Sequence, residues 1–407
     1  MMSFNHFYLR NLADKYNTPL YVYDGDLILQ RYRELYNFIP WKKLQIFYAM
    51  KANYNLAILK LLEREGSCID AVSPGDVLMA MEAGFTKERI LFTANKITNE
   101  EMHEVQKLGV LFNIGSLSRL EKYGKAYSGS DVCIRFNPDV VAGENKNVAT
   151  GGENSKFGIF LTRVDEVVFI CQKYNLKIIG IHEHTGSGIP ETVQMMQGMK
   201  NILNLITPER FSDLRFVDFG GGFKVSYHPD EKKLDYHTFG KEVVTIFSEF
   251  CQGYGKELEM YFEPGKYLVA ESGNLIVEVT EIKQNPGKVI VGTNSGFPQM
   301  IRPMFYGAYH HIINLSNPEG PSKKYDIVGN ICESGDCFAV DREISEIREG
   351  DLLAIQNAGA YCYSMGGVYN LRSMPAEVLV VNGKDQLVRK RLSSKELIQS
   401  IVDESTQ

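Results

Sequence analysis

The chain has 407 residues, 44% of them hydrophobic and 23% charged, and a formal net charge of -6 at pH 7. This length predicts two domains, and this composition is typical of globular proteins with full-sized hydrophobic cores. The negative charge, with no dense block of Lys or Arg, argues against binding to nucleic acid or to a membrane surface.

The sequence shows no targeting or cross-linking pattern. The N-terminal segment lacks the apolar stretch of a signal peptide, and no run of about 18 apolar residues predicts a membrane span. The seven cysteines lack the paired spacing of a zinc site or a disulfide framework; they are Cys68, Cys133, Cys171, Cys251, Cys332, Cys337 and Cys362. We therefore expect a cytoplasmic protein with mostly reduced, buried cysteines and no metal site.

The predicted elements begin with a short strand, PLYVYD, at residues 19–24. From about residue 44 to 266, short β-branched or aromatic runs alternate with helical patterns, which indicates repeated βα units. Eight strands are predicted, at residues 44–53, 67–73, 89–95, 110–116, 131–138, 176–187, 214–222 and 258–266. This count predicts an α/β fold with a (β/α)₈ TIM-like barrel.

After about residue 270, strand-like runs follow one another with few helices between them, which predicts a separate β domain resembling a sandwich or barrel. We expect the barrel at residues 28–268 and the β domain at 1–27 and 269–407, with the first strand joining the C-terminal sheet. The segment 139–159 is rich in Gly and Asn and has little periodicity. A loop of this length is often functional, and we expect it to close over a substrate.

Chemically active residue types collect where the predicted barrel strands end, which is where such barrels place their active sites. They are Lys51, Asp70, Arg135, His184, Ser187, Gly220, Gly221, Gly222, Glu263, Gly265 and Lys266. Pyridoxal phosphate needs a Lys amine, a partner for its ring nitrogen and backbone donors for its phosphate. A glycine-rich turn before a helix can supply those donors.

Each of these residues has a simpler interpretation when it is taken alone. Lys51 follows the apolar run IFYAM, where we expect a buried amine, yet a single Lys is more often a solvated or paired charge. His184 could be a core histidine and Glu263 a turn carboxylate. The three glycines could form an ordinary turn, and Cys332 could be a small buried hydrophobe. The joint placement at successive strand ends favours the cofactor site.

Several motifs then show a family resemblance: YAMKAN around Lys51, HEHTGSG at 182–188, DFGGGF at 218–223, EPGK at 263–266, CESGD at 332–336 and GAY at 359–361. Over nearly its whole length the chain resembles the fold-type III pyridoxal-phosphate-dependent decarboxylases. Within them it is most similar to the diaminopimelate decarboxylases, which form L-lysine from meso-diaminopimelate in lysine biosynthesis. This similarity is clearest in TGGENSKFGI, RPMFYGAYHHI and SMGGVYNLR.

The resemblance implies an alanine-racemase-like barrel, a C-terminal β domain and a homodimer whose active sites lie at the subunit interface. Lys51 would form the Schiff base, His184 would stack on the cofactor ring, and Glu263 would face the ring nitrogen. The phosphate would be held by Ser187, Gly220, Gly221, Gly222, Gly265 and Tyr361.

The resemblance also implies substrate-binding and catalytic positions. Substrate carboxylate and ammonium groups would be held by Lys266, Arg302, Tyr306, Glu333 and Tyr361. Cys332 would return a proton to the substrate carbon from the partner subunit. Asp70 and Arg135 would be supporting charges near the cofactor, and Lys266 would also lie near it.

The chain departs from the family pattern at several positions. Lys266 stands where most members have Arg, and it keeps the charge but lacks the bidentate fork. Thr185 and Asn330 replace an apolar residue and a Pro, and Gly366 and Gly367 loosen the SMGGVYN segment. These changes leave open a related decarboxylase for another amino acid or an amino-acid conjugate. A racemase with a second base and a noncatalytic cofactor-binding protein are further alternatives.

Overall fold

The computed structural model describes residues 4–144, 150–153 and 155–405. The chain forms two compact units, one of Arg31–Val225 and Lys233–Tyr267, and the other of Met1–Gln30, Ser226–Lys232 and Leu268–Gln407. Residues 145–149 and 154 of the predicted functional loop lie outside the described residues. The expectation that this loop closes over a substrate therefore stays a prediction.

The helices are α1 His6–Tyr16, α2 Gly25–Phe38, α3 Leu56–Arg64, α4 Pro74–Glu82, α5 Asn99–Leu108, α6 Leu117–Ala126, α7 Val164–Lys173, α8 Thr192–Leu205, α9 Tyr236–Tyr254, α10 Lys266–Val269, α11 Arg302–Tyr306 and α12 Ser394–Ser405. The strands are β1 Leu20–Asp24, β2 Leu44–Ala49, β3 Cys68–Ala71, β4 Ile90–Phe92, β5 Leu111–Ile114, β6 Asp131–Asn137, β7 Ile159–Phe160, β8 Lys177–His182, β9 Phe216–Asp218, β10 Glu259–Phe262, β11 Gly273–Asn285, β12 Lys288–Thr293, β13 Ile312–Asn314, β14 Ser322–Val328, β15 Cys337–Ser345, β16 Leu352–Ile355, β17 Ala376–Val381 and β18 Lys384–Arg389.

The first unit is a closed parallel barrel. Its strands run in the order β2-β3-β4-β5-β6-β8-β9-β10, and β10 pairs with β2 to complete the ring. The predicted (β/α)₈ barrel is confirmed. Local signals support its helices: Thr98 and Glu101 form a reciprocal capping box at the start of α5, which ends at Gly109 with φ +75°.

All eight barrel strands are shorter than the sequence predicts, and the first and the seventh show the physical reason. The first ends at Ala49 because Met50–Ala52 form a turn of 3-10 helix. The seventh ends at Asp218 because Gly220 and Gly222 adopt φ of +64° and +104°, which do not continue a strand.

An apolar layer fills the interior of the barrel. It consists of Phe47, Cys68, Leu91, Leu111, Cys133, Ile179, Phe216 and Tyr261. The ring of Tyr261 lies 4.3 Å from that of Phe216 and 4.7 Å from that of Phe47, measured between centroids. Burying a side chain of this size contributes about 1.5–3 kcal/mol. The layer closes the barrel below the strand ends, so that a site can form only above it.

The second unit is built mainly of sheet, which confirms the separate β domain. Its main sheet has the order β15-β14-β12-β11-β1-β17-β18. The N-terminal strand β1 pairs with β11 in antiparallel and with β17 in parallel orientation. Leu20 and Val22 of β1 pack with Leu9 and Leu12 of α1 in an apolar cluster. Within the described part of the chain, no helix has the length and apolar character needed to cross a bilayer.

Candidate active site

A polar layer lies directly above the apolar layer of the barrel. Side chains two residues apart on a strand point to the same face, so each strand presents a second interior residue nearer its carboxyl end. These residues are Ala49, Asp70, Thr93, Asn113, Arg135, Asp218 and Glu263, and on β8 His182, which lies three residues after Ile179 because the register between β6 and β8 shifts at Val132/Cys133. Arg135, His182 and Asp218 occupy one level on neighbouring strands, as the pairings Arg135↔His182 and His182↔Asp218 show.

Lys51 lies in the turn that follows β2 and pairs directly with the carboxylate of Asp70. The Asp70 side chain is fully buried, whereas 41% of the Lys51 side chain is exposed. The expectation of a buried amine is wrong, because the turn at Met50–Ala52 directs Lys51 away from the strand. Burial and the nearby Glu263 raise the pKa of Asp70, against the lowering effect of Lys51.

Glu263 and Arg135 carry opposite charges inside the polar layer, and both are buried. Burial raises the pKa of Glu263, whereas the positive charges of Lys51 and Arg135 lower it. Arg135 also stacks on Phe157, with its guanidinium carbon 4.9 Å from the ring centroid. One oxygen of Glu263, Oε1, has no hydrogen-bond partner among the described residues.

His184 lies just after β8, against the glycine turn. The Gly221 N–H donates to Nδ1 of His184 at 3.0 Å, so that this nitrogen acts as an acceptor and carries no proton. Burial, and then the charges of Arg135 and Lys51, hold the pKa of His184 well below its usual range. His184 therefore presents a neutral ring at the end of the barrel.

Gly220 and Gly221 are required by close packing. A Cβ at Gly220 would lie 2.6 Å from both Nδ1 of His184 and the carbonyl oxygen of Glu183, and a Cβ at Gly221 would lie 2.6 Å from the carbonyl oxygen of Glu263. Both distances are far inside van der Waals contact. The turn therefore brings its backbone close to the His184 ring and to the backbone carbonyls of Glu183 and Glu263.

Replacing Gly220 with alanine should destabilise the protein by about 1–3 kcal/mol, because an alanine there would be strained at φ +64° and would clash. Denaturant unfolding of the cofactor-free chain measures this effect. The matched control is Gly253→Ala in α9, where a Cβ meets no atom within 4 Å. It should stabilise the helix by about 0.5–1 kcal/mol. Equal free energies of unfolding for the two variants would contradict the packing argument.

Ser187, Gly265 and Lys266 lie at the edge of this site. The ammonium of Lys266 pairs with the carboxylate of Glu144, and the Glu144 N–H donates to the carbonyl of Ser187 at 3.0 Å. A Cβ at Gly265 would lie 3.1 Å from the Cβ atoms of Ala49 and Ala52, so glycine lets α10 begin close to β2. Lys266 is therefore held by a carboxylate from the predicted functional loop.

The predicted substrate residues Arg302, Tyr306 and Tyr361 lie in the β unit. Arg302 is 3% exposed, and its guanidinium carbon lies 5.8 Å from the ring centroid of Tyr306 and 4.9 Å from that of Tyr227. Its Nε donates to Nε2 of His310 at 3.4 Å. Tyr361 is half-buried and adopts φ +57°. The structure thus brings Arg302 and Tyr306 together.

Cys332 and Glu333 follow β14 and are exposed. Asn370 Nδ2 donates to Sγ of Cys332 at 3.3 Å, and the Tyr369 hydroxyl donates to Oε1 of Glu333 at 2.9 Å. The simpler interpretation of Cys332 as a buried hydrophobe is therefore wrong. All seven cysteines are free, and five of them are buried.

The sequence analysis did not select His182 or Asp218, although both belong to the polar layer and are fully buried. Nε2 of His182 lies 3.0 Å from Oε2 of Glu263, and the Gly220 N–H donates to Oδ1 of Asp218 at 2.9 Å. The two-residue spacing from Phe216 would have found Asp218, whereas His182 lies three residues after Ile179 because of a register shift between β6 and β8, so this spacing would have missed it.

The residues present fit pyridoxal phosphate. Oε1 of Glu263 is a buried carboxylate oxygen without a donor, which suits a protonated ring nitrogen. Lys51 offers an accessible amine, and the glycine turn exposes no side chain where a phosphate would approach.

Known proteins with similar sequences and structures agree with this chemistry. A family model described as the pyridoxal-binding domain of pyridoxal-dependent decarboxylases matches residues 26–270. The diaminopimelate decarboxylase of Methanothermobacter thermautotrophicus is 41% identical over 95% of this chain and 92% of its own length. That of Escherichia coli is 32% identical over 96% of this chain and 95% of its own length.

Solved structures give the same result. The crystal structure of diaminopimelate decarboxylase from Helicobacter pylori complexed with L-lysine has a TM-score of 0.89 and 30% identity, covering 98% of this chain and all of that one. A lysine/ornithine decarboxylase from Vibrio vulnificus, at 18% identity and a TM-score of 0.81, shares the fold. The chain belongs to the diaminopimelate decarboxylase family of pyridoxal-dependent decarboxylases.

Proposed function

We propose that this protein removes CO2 from meso-2,6-diaminopimelate to give L-lysine, with pyridoxal 5'-phosphate as its cofactor. The observation that carries this proposal is near-full-length similarity to diaminopimelate decarboxylases, including one complexed with L-lysine, together with the charged layer at the barrel end.

Groups at the end of the barrel, and the Tyr361 hydroxyl of the β unit, would hold the cofactor. The Lys51 amine would attach it, the neutral ring of His184 would cover one face, and Glu263 would accept a hydrogen bond from the ring nitrogen. Backbone N–H groups of Gly220–Gly222 and Gly265, with the Ser187 and Tyr361 hydroxyls, would hold the phosphate. When bound, pyridoxal phosphate takes up the electron pair that remains as CO2 leaves.

Asp70 and Arg135 control charge around the attachment point. The Lys51 amine becomes a nucleophile only after it loses a proton, and the Asp70 carboxylate paired with it can receive that proton. The raised pKa of Asp70 makes this acceptance more favourable. Arg135 lowers the pKa of Glu263 and so favours its ionised form.

Substrate selection would depend on the distal amino-acid end of diaminopimelate. Arg302, Tyr306, Lys266, Tyr361 and Glu333 supply cationic, hydroxyl and anionic partners for a carboxylate and an ammonium. Ornithine and lysine lack the distal carboxylate, so neither one offers these cationic groups the anionic partner that diaminopimelate offers. Buried Arg302, 3% exposed, supports this discrimination because its charge is shielded from water.

We also propose a homodimer in which Cys332 and Glu333 complete the partner's active site. Both are exposed, near the exposed apolar side chains of Met304, Tyr369 and Leu371. Tyr369 bonds Glu333, and a Cβ at Gly335 would lie 3.4 Å from Cε of Met304, so the two groups are adjacent. An exposed apolar patch around candidate catalytic residues is typical of a surface that another subunit covers.

A cytoplasmic location completes the proposal. The seven free cysteines support it, because a reducing compartment keeps thiols from forming disulfides.

The test is incubation of the cofactor-loaded protein with meso-diaminopimelate while lysine and CO2 are followed. We expect both products in equal amounts, and at least about 10³-fold lower kcat/KM for ornithine and lysine, because these lack the distal carboxylate that the cationic groups of the site would bind. The alternative is a decarboxylase for another amino acid or an amino-acid conjugate. The test includes it because Lys266, a proposed substrate-binding residue, pairs with Glu144. No turnover of meso-diaminopimelate, with CO2 release from another acid, would reject the proposed substrate.

A further inference from the structure

The barrel holds a second buried acid beside Glu263 that the chemistry above leaves without a role. Asp218 ends β9 and is completely buried. Its Oδ1 accepts the Gly220 N–H, while Oδ2 has no partner within the described part of the chain. Oxygens of Asp218 and Glu263 and a ring nitrogen of His182 all lie within 4.8 Å of one another.

His182 has only one direction in which to donate. Its Nε2 lies 3.0 Å from Oε2 of Glu263, so the proton of the neutral ring belongs on Nε2, and Nδ1 is left without a partner in the described residues. Burial and the charge of Arg135 hold the pKa of His182 well below its usual range. His182 is therefore a neutral donor fixed on the carboxylate of Glu263.

The excess of carboxyl groups over cations favours a protonated acid at this end of the barrel. The titratable and charged groups facing Asp218 are Asp70, Cys133, Arg135, His182, Glu183, Tyr261 and Glu263. Four carboxyl groups thus share the barrel end with two cations, Lys51 and Arg135. Glu183 lies apart and accepts the Thr185 hydroxyl at 2.9 Å, and burial raises its pKa to about 8.

Between Asp218 and Glu263, the surroundings favour the proton on Asp218. Burial and the carboxylates of Glu263, Asp70 and Glu183 raise the pKa of Asp218 well above its usual range, opposed by the Gly220 N–H. Burial raises the pKa of Glu263 as well, but Lys51 and Arg135 face Glu263 and oppose that rise. Arg135 interacts with Glu263 more strongly than with Asp218.

We propose that Asp218 and His182 are positioning residues for Glu263: Asp218 keeps the proton of this acid pair, and His182 donates its Nε2–H to Oε2. Glu263 then stays ionised, with Oε1 left to accept another hydrogen bond. The inference rests on the proposed function, because it takes Glu263 as the partner of the cofactor ring nitrogen. An ionised Asp218 would place a like charge beside Glu263 and draw the proton onto it.

The first experiment detects the proton directly in the cofactor-free full chain. A protonated carboxylic acid has an infrared carbonyl stretch that a carboxylate lacks. We expect the wild type at neutral pH to show such a band that Asp218→Asn removes. Glu183→Gln is the matched control, and it should remove a different band that titrates near the pKa of about 8. If Asp218→Asn removes no protonated-acid band, Asp218 is ionised and the proposal is overturned.

The second experiment compares substitutions at each position in the cofactor-loaded protein. Asp218→Asn is permanently neutral, so the pH dependence of the cofactor's visible absorbance should match that of the wild type, and cofactor affinity should fall less than in Asp218→Ala. Asp218→Ala, which loses the bond to Gly220 as well, should weaken cofactor binding about tenfold. Equal losses in Asp218→Asn and Asp218→Ala would contradict a neutral Asp218.

The role of His182 is tested by removing, and then replacing, the hydrogen-bond donor that it provides to Glu263. His182→Leu should lower kcat about tenfold with little change in KM, and should shift the pH midpoint of the absorbance because Glu263 loses a stabilising donor. His182→Gln can still donate an amide N–H and should recover most of both effects. A purely structural role would lower the unfolding temperature in both variants without moving the midpoint, and that result would overturn the proposal.

These measurements separate the inference from the proposed substrate. The infrared bands are measured without the cofactor, and the pH midpoint of the cofactor's absorbance is measured without an amino-acid substrate. If meso-diaminopimelate is not turned over but the bands and midpoints change as described, the substrate is wrong and the positioning roles stand. If CO2 is released from meso-diaminopimelate while Asp218 gives no protonated-acid band, the substrate stands and the inference fails.

Discussion

Replacing Lys51 with alanine is expected to lower kcat for CO2 release by about 10⁴-fold or more. A positioned amine acts at an effective concentration of about 10⁵ M or higher, and no amine in solution can replace it. Steady-state CO2 release from meso-diaminopimelate measures the loss. Borohydride provides a second measurement, because it should fix the cofactor to the wild-type chain but not to Lys51→Ala.

The control for Lys51→Ala is Lys107→Ala, which removes an exposed ammonium from the last turn of α5. It should leave both CO2 release and borohydride fixation unchanged. Fixation at full yield in Lys51→Ala would show that another amine holds the cofactor, and the site would have to be rebuilt around that amine. Retained activity in the variant would have the same consequence.

Asp70 explains why Lys51 can be accessible and still reactive. An exposed ammonium would ordinarily stay protonated, but its direct partner Asp70 is fully buried, and the pKa of Asp70 is raised by burial and by Glu263. The pair can therefore exchange a proton more easily than two solvated groups could. The pKa of Asp70 is raised because β3 places this side chain in the same buried polar layer as Glu263.

The barrel was predictable because its signal is repeated eight times. Each βα unit repeats the same alternation of a strand and a helix, so an error at one element boundary does not change the predicted fold. Local boundaries were less predictable: the apolar run before Lys51 continues through Met50, and nothing in it indicates the turn at Met50–Ala52 that ends β2. The mistaken expectation of a buried amine follows from that boundary.

The site was predictable where strand ends carried distinctive motifs and less so elsewhere. His182 and Asp218 lie inside motifs that were noticed, but the residues chosen were those with roles in the family. The partnership of Lys266 with Glu144 joins positions 122 residues apart through a loop without periodicity. No local pattern indicates such a contact, because it depends on where the tertiary fold places Glu144 relative to Lys266.

Replacing Cys332 with alanine is expected to lower kcat by about 10²–10⁴-fold, the usual contribution of a positioned general acid. The thiol is proposed to return a proton to the carbon that loses CO2, and Asn370, which donates to its sulfur at 3.3 Å, orients it. Steady-state CO2 release and lysine formation measure the loss. The control is Cys337→Ala, whose half-buried sulfur bonds the carbonyls of Ile327 and Ala339 within the sheet and should affect turnover little.

Mixing Cys332→Ala with Lys51→Ala decides which subunit supplies the thiol. If Cys332 serves the partner's site, a mixed dimer contains one site with both an intact Lys51 and an intact Cys332, so two inactive proteins regain activity when their subunits exchange. If Cys332 serves its own chain, every site in the mixture lacks one of the two groups. Absence of recovery, with subunit exchange verified by mass, would therefore contradict the shared active site, while the loss in Cys332→Ala alone would still identify the proton donor.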